Sequence, residues 1–225
     1  KYCYASHRSK RGYNGNDFSL SQLEQIVLFM NSHLKIEHYS QRLENLEIGV
    51  NFNPMMEIPL ITDNLFLHHG KRFKEGDKGD SRKAIHSKYI FKVYDKGLQY
   101  NLAEPTLRIE QHYSCSIYFK SIGIVKLTDL LDLNKTRVLA NDLMHQWERT
   151  LLFDDTLLDY KEVMTPNELR LVSNYSRRNY WFKLESRHRD RHKKRYNKLV
   201  SDYNGIVKST VAQALKNKIN QMMHT

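Results

Sequence analysis

Cysteine is scarce: Cys3 and Cys115 are the only two in 225 residues. That pair suggests neither a disulfide framework nor a structural zinc site, and a reduced, cytoplasmic setting is the simplest reading. No apolar run approaches the length of a membrane span, and no signal peptide opens the chain, so no membrane partner is expected. The first residues, Lys1-Tyr2-Cys3-Tyr4, read as the start of a fragment that lacks earlier residues. Phosphate-cradling loops are missing as well. Gly76-Asp77-Lys78-Gly79-Asp80 has neither the spacing nor the following helix of a nucleoside-triphosphate loop and reads as a hairpin tip. Acidic charge is also in deficit: 36 Lys and Arg stand against 25 Asp and Glu, a formal net charge of +11. Such an excess favours polyanionic partners, nucleic acid first and anionic membrane second. Fourteen tyrosines add rings on which bases can stack.

What is present divides the chain in two. Ser19 opens a helix with capping-box spacing to Gln22, and Leu23, Ile26, Val27, Met30 and Leu34 form its apolar stripe. Strands are expected over Lys1–His7, Leu46–Phe52, Leu65–Phe73, Lys88–Asp95 and Leu107–Phe119. No long helix separates the later strands, which argues for an antiparallel sheet and an α+β class. After Gly123 the pattern turns helical. Asn134 is the expected cap of a helix bearing Leu139, Leu143, Trp147 and Leu151, and Thr165-Pro166-Asn167-Glu168 is a helix start. Further helices are expected from Asn179 to Tyr203 and from Thr210 to Met223. The expected organisation is a sheet domain over 1–153 and a basic helical region over 154–225.

Alternation assigns the strand faces. Ile90, Lys92 and Tyr94 point one way; Arg108, Glu110 and His112 share a face; Glu47, Gly49, Asn51 and Asn53 share another. If these polar faces coincide, Glu47, Glu110 and His112 meet near Tyr94. Carboxylate oxygens and an imidazole suit Mg²⁺ or Mn²⁺, and a bound cation offsets the charge of a phosphoryl transition state. A tyrosine hydroxyl attacks poorly at its ordinary pKa near 10, so a neighbouring lysine, Lys96, has a use in stabilising developing charge. The same residues also suit a plain strand end, with Asp95 and Gly97 as turn residues and a solvated polar face.

Two sets of cations are candidate DNA contacts: Lys71, Arg72 and Lys74 on the hairpin, with Lys92 and Arg108 nearer the tyrosine, and Arg187, Arg191 and Arg195 in the basic stretch from Arg177 to Lys198. Little apolar surface lies between the charges of that stretch, so its helix is expected to dock lightly. His188 and His192 stand one turn apart, but Arg189 occupies the place where a zinc-protease helix has glutamate.

The segment Phe91-Lys92-Val93-Tyr94-Asp95-Lys96, followed by Leu107-Arg108-Ile109-Glu110, resembles the rolling-circle replication initiators of small plasmids. It is also similar to the phage and plasmid replication proteins of the gene II/X type. Leu46-Glu47-Ile48-Gly49-Val50-Asn51-Phe52 matches the earlier acidic strand of these families, and Gly123-Ile124 with Leu127-Thr128-Asp129-Leu130 matches the segment after the glutamate strand. The resemblance spans roughly residues 16 to 153. It implies an HUH-like fold, Tyr94 as the nicking nucleophile, and Glu110 and Glu47 as carboxylates of a Mg²⁺ or Mn²⁺ site. It also implies single-stranded or hairpin origin DNA as partner, with a host replication helicase or polymerase and a homodimeric assembly as further expectations. A mobile-element relaxase uses the same chemistry, and a non-catalytic DNA-binding protein is the reading from a different class. Two departures stand out: Asn51 replaces a common acid, and no His-hydrophobic-His triplet occurs, the adjacent His68-His69 pair not fitting that pattern.

Overall fold

The computed structural model describes residues 19–34, 42–76 and 81–223. The expected strand at Lys1–His7, the loop after it, Cys3, and the hairpin tip at 77–80 lie outside those residues. In chain order the elements are helix α1 (Leu20–Leu34), strand β1 (Leu46–Phe52), helix α2 (Ile58–Thr62), and strands β2 (Leu65–His68), β3 (Lys71–Arg72), β4 (Lys74–Glu75), β5 (Arg82–Ile85) and β6 (Tyr89–Asp95). Helix α3 (Lys96–Tyr100), strand β7 (Leu107–Tyr113), helices α4 (Ser116–Ser121) and α5 (Leu133–Glu148), and strand β8 (Thr150–Leu152) follow. The chain ends in helices α6 (Pro166–Tyr175), α7 (Arg178–Lys183), α8 (Ser186–Asp202) and α9 (Val207–Met223).

The class is α+β. A five-stranded antiparallel sheet runs β1-β7-β6-β5-β4, with helices packed against it, and a second sheet runs β3-β2-β8. The large sheet is polar on one face and apolar on the other because its strands alternate. Val50, Phe52, Phe91, Val93, Leu107, Ile109 and Tyr113 pack against Leu139, Leu143 and Trp147 of α5 and Val207, Val211 and Leu215 of α9. The Trp147 indole donates to the Lys208 carbonyl at 3.2 Å and ties these two helices together. The last helix therefore shares the core of the sheet, although 154 residues lie between it and β1.

Several expected boundaries move, each for a local reason. The strand expected over Leu65–Phe73 breaks at His69-Gly70, where both residues take positive φ, 45° and 81°, and the chain reverses into β3. The Leu107–Phe119 strand ends at Tyr113, and Ser116–Ser121 is helical. Asp132, not Asn134, caps α5, accepting from the Asn134 and Lys135 amides. The helix expected from Asn179 to Tyr203 is two helices broken at Leu184-Glu185. The capping boxes at Ser19-Gln22 and Thr165-Glu168 both form.

The basic helix α8 does not dock lightly. Tyr196 and Leu199 insert into a second core with Phe66, Leu67, Leu151, Phe153, Met164, Val172, Tyr175 and Trp181. The buried Tyr196 hydroxyl donates to the Leu152 carbonyl at 2.9 Å and accepts from the Asp154 amide at 2.7 Å. Two apolar side chains one turn apart anchor the helix because an aromatic carries a large buried area.

Candidate active site on the polar sheet face

Register brings the polar residues of three strands into rows. On central β7, His112 pairs with Glu47 on one side and Ile90 on the other, Glu110 with Gly49 and Lys92, and Arg108 with Asn51 and Tyr94. All the polar faces named from alternation thus coincide. Tyr89, five residues before Tyr94, lies on the opposite, apolar face and reaches the Gln146 side-chain oxygen at 3.3 Å.

Glu110 is the hub. It is only 3% exposed. Its Oε1 accepts from Lys92 Nζ at 2.5 Å, and its Oε2 accepts from Arg108 Nε at 2.7 Å and from the Tyr94 hydroxyl at 3.1 Å. Burial alone would push this carboxyl up; the Arg108 and Lys92 charges and hydrogen bonds outweigh it and hold Glu110 well below the usual carboxylate range. Lys92 Nζ also donates to Glu47 Oε2 at 3.2 Å, and that oxygen lies 3.4 Å from His112 Nδ1. Burial works against the Lys92 ammonium, but Glu110 and Glu47 together push its pKa up.

Arg108 is held by a glycine that alternation had placed on this face without a role. A Cβ on Gly49 would stand 2.5 Å from Arg108 Nη2 and 2.6 Å from Cζ. The guanidinium occupies the space a side chain at position 49 would need, and its Nη1 donates to Asn51 Oδ1 at 3.0 Å. Asn51 thus positions a cation. A lone glycine inside a strand is the signal that marks such a close approach.

Tyr94 is pushed well above the ordinary tyrosine pKa, by burial first and by the Glu110 charge second. Its hydroxyl stays protonated at neutral pH and donates to Glu110. Lys96 begins α3, whose cap is Asp95, with its side chain accepting from the Leu98 amide at 2.7 Å. The Lys96 side chain is buried, with Nζ 5.3 Å from the Tyr94 ring centroid, 4.2 Å from that of Tyr100, and 3.2 Å from Gln99 Oε1. Burial, reinforced by Arg108, pulls its pKa down to about 8.

The expected cation donors do not fit a shared Mg²⁺ or Mn²⁺ as they stand. Hard divalent ions want several oxygens at ~2.0–2.6 Å. Here the Lys92 ammonium is wedged between Glu47 and Glu110, Arg108 takes the remaining Glu110 oxygen, and His112 pairs with Glu47. Among the described residues no three His, Cys, Asp or Glu side chains are grouped to hold an ion.

The expected DNA contacts divide. Lys92 and Arg108 belong to the Glu110 network. Arg72 spreads over the Phe182 ring at 4.3 Å and donates to the Phe182 carbonyl at 3.3 Å, which fastens the β2–β3 hairpin to α7. Lys71 is exposed on that hairpin, and Lys74 is exposed on β4 at the edge of the large sheet. Arg187, Arg191 and Arg195 are exposed, four residues apart along one side of α8, whereas Arg189 turns inward to the Leu184 and Gly70 carbonyls at 2.7 and 3.4 Å.

No family model matches the sequence, and neither a curated protein nor a solved structure matches it. No helix among the described residues is long and apolar enough to cross a membrane.

Proposed function

We propose that this protein nicks single-stranded or hairpin DNA through a 5′-phosphotyrosyl intermediate on Tyr94, and that it thereby starts rolling-circle replication of a plasmid or phage-like element. The observation that carries the reading is the Tyr94 hydroxyl at 3.1 Å from Glu110, beside two cations, on the polar face of the sheet of a chain with net charge +11. The antiparallel sheet backed by helices on its apolar face supports an HUH-like reading of the fold.

In this mechanism Tyr94 Oη attacks the scissile phosphorus. Its proton passes to Glu110, the new phosphorus–oxygen bond forms, and the bond to the 3′ oxygen breaks. That oxygen takes a proton from water and leaves as a free 3′ hydroxyl for a polymerase. A general base adjacent to the nucleophile is what a protonated phenol needs. Glu110 is a weak base while Lys92 and Arg108 hold it. A phosphodiester competes for both cations, so Glu110 gains basicity as the phosphate arrives. The exposed arginines of α8 provide sequence-independent grip on the backbone.

The test is a 5′-labelled pool of hairpins flanked by randomised single strands. Wild type is expected to release labelled 5′ fragments ending in a 3′ hydroxyl, and Tyr94→Phe to release none. Pools that bind but are never cut would leave the non-catalytic DNA-binding reading.

A further inference from the structure

The sheet face carries its own cation at the point where two carboxylates converge. Lys92 is placed there by register: it stands directly across from Glu110, and Gly49 beyond Glu110 leaves the row open for Arg108. Its Nζ bridges Glu110 Oε1 at 2.5 Å and Glu47 Oε2 at 3.2 Å. An ammonium has three donors. Two are used by carboxylates, and among the described residues no hydrogen bond takes the third. The side chain is 29% exposed, so that donor is reachable from solvent. Arg108 sits on the other oxygen of Glu110, so the nucleophile Tyr94 is flanked by a fixed cationic pair. Lys83 lies opposite Lys92 on the next strand and extends the basic row toward the sheet edge.

We propose that Lys92, aided by Arg108, binds the scissile phosphodiester in the position a bridging divalent cation would take, so that strand cleavage at Tyr94 proceeds without a metal ion. The proposal rests on the nicking reading above. Donors already gathered at the site by the carboxylates act on a developing phosphoryl charge as a metal does electrostatically, and need only shift from carboxylate to phosphate as the strand binds. Glu47, exposed and paired with His112, serves here to position the ammonium rather than to bind an ion.

Two measurements on the full chain separate this inference from the nicking reading. The first needs no activity: Mn²⁺ binding by electron paramagnetic resonance. Wild type is expected to bind weakly. Lys92→Met removes a positive charge from between two carboxylates, and its Mn²⁺ affinity is expected to rise about tenfold or more, with the gain lost in Lys92→Met/Glu47→Gln. Equal, tight Mn²⁺ binding by wild type and Lys92→Met would overturn the proposal. The second measurement is covalent DNA adduct formation in excess chelator. Wild type is expected to form the adduct unaided, Lys92→Met to lose about a hundredfold in rate and to recover on adding Mn²⁺, and Lys92→Arg to retain chelator-resistant activity because it retains the charge. An adduct that wild type forms only with added metal would overturn the Lys92 assignment and leave the nicking reading intact. No adduct under either condition would overturn both.

Discussion

Gly49→Ala adds one methyl group, and the structure sets the sign of its effect. In an ordinary strand interior the change is favourable, since alanine restricts the unfolded chain and glycine weakens a strand by about 0.5–1 kcal/mol. Here the new Cβ would stand 2.5, 2.6 and 2.9 Å from Nη2, Cζ and Nε of Arg108. The guanidinium must move. It then loses its 2.7 Å bond to Glu110 and its 3.0 Å bond to Asn51. The Arg108 side chain is 11% exposed and that of Glu110 3%, so the separated charges have little water to turn to. Breaking a buried pair costs about 3–5 kcal/mol, and Lys92, still on Glu110, reduces that to roughly 2–3 kcal/mol. Denaturant unfolding measures it: Gly49→Ala is expected to lower the midpoint with an unchanged slope. In an Arg108→Ala background the same methyl group meets no guanidinium, and its effect is expected to fall to near zero or turn stabilising. A Gly49→Ala protein as stable as wild type, or equal effects in both backgrounds, would refute the placement of Arg108 over Gly49.

Three further outcomes follow from other parts of the fold. His68 is fully buried, its Nε2 donating to the Gln146 carbonyl at 3.1 Å, so its Nδ1 accepts from His86 Nε2 at 2.8 Å and both rings are neutral. Burial pulls His68 down to about 3 and His86 to about 4. The unfolded chain therefore binds these protons first, and stability is complete above pH 6.5 and falls as pH drops below it. His68 alone accounts for about 2 kcal/mol by pH 5, and His68→Phe is expected to flatten the stability profile between pH 7 and 5. Gln111 is fully buried on the apolar face with both amide atoms unpaired among the described residues; Gln111→Leu is expected to raise stability by about 1–3 kcal/mol, seen as a higher unfolding midpoint. Neutralising Arg187, Arg191 and Arg195 is expected to reduce the magnitude of the slope of log affinity for DNA against log salt by about 2–3, and an unchanged slope would remove α8 from the DNA interface.

The face assignments were legible because a strand alternates with period two and each of β1, β6 and β7 has one mainly apolar side, Gln111 of β7 being the buried exception. That was enough to put Glu47, Lys92, Tyr94, Arg108, Glu110 and His112 together. Register was not legible, since pairing between β1 and β7 joins residues far apart in sequence. Without it Lys92 read as a DNA contact rather than as the bridge between two carboxylates, and Arg108 gave no hint that it lies over Gly49. Helix breaks were missed where periodicity continues across a backbone change, as at Leu184-Glu185. The docking of α8 was underestimated because a count of apolar residues overlooks how much area Tyr196 alone buries. The helix of α9 was readable, but its burial against the sheet of β1 depends on a tertiary contact that no local pattern carries.

The central claim is that Tyr94 becomes covalently joined to DNA, and peptide mass spectrometry tests it most directly. Protein incubated with the hairpin pool is denatured, digested with nuclease to leave one nucleotide, and cleaved with trypsin, which cuts after Lys92 and Lys96. The account predicts that the peptide of residues 93–96 carries a nucleotide 5′-monophosphate on Tyr94, and that Tyr94→Phe yields no adduct. A nucleotide found on another tyrosine, or an unmodified 93–96 peptide from protein that has cut the DNA, would contradict it.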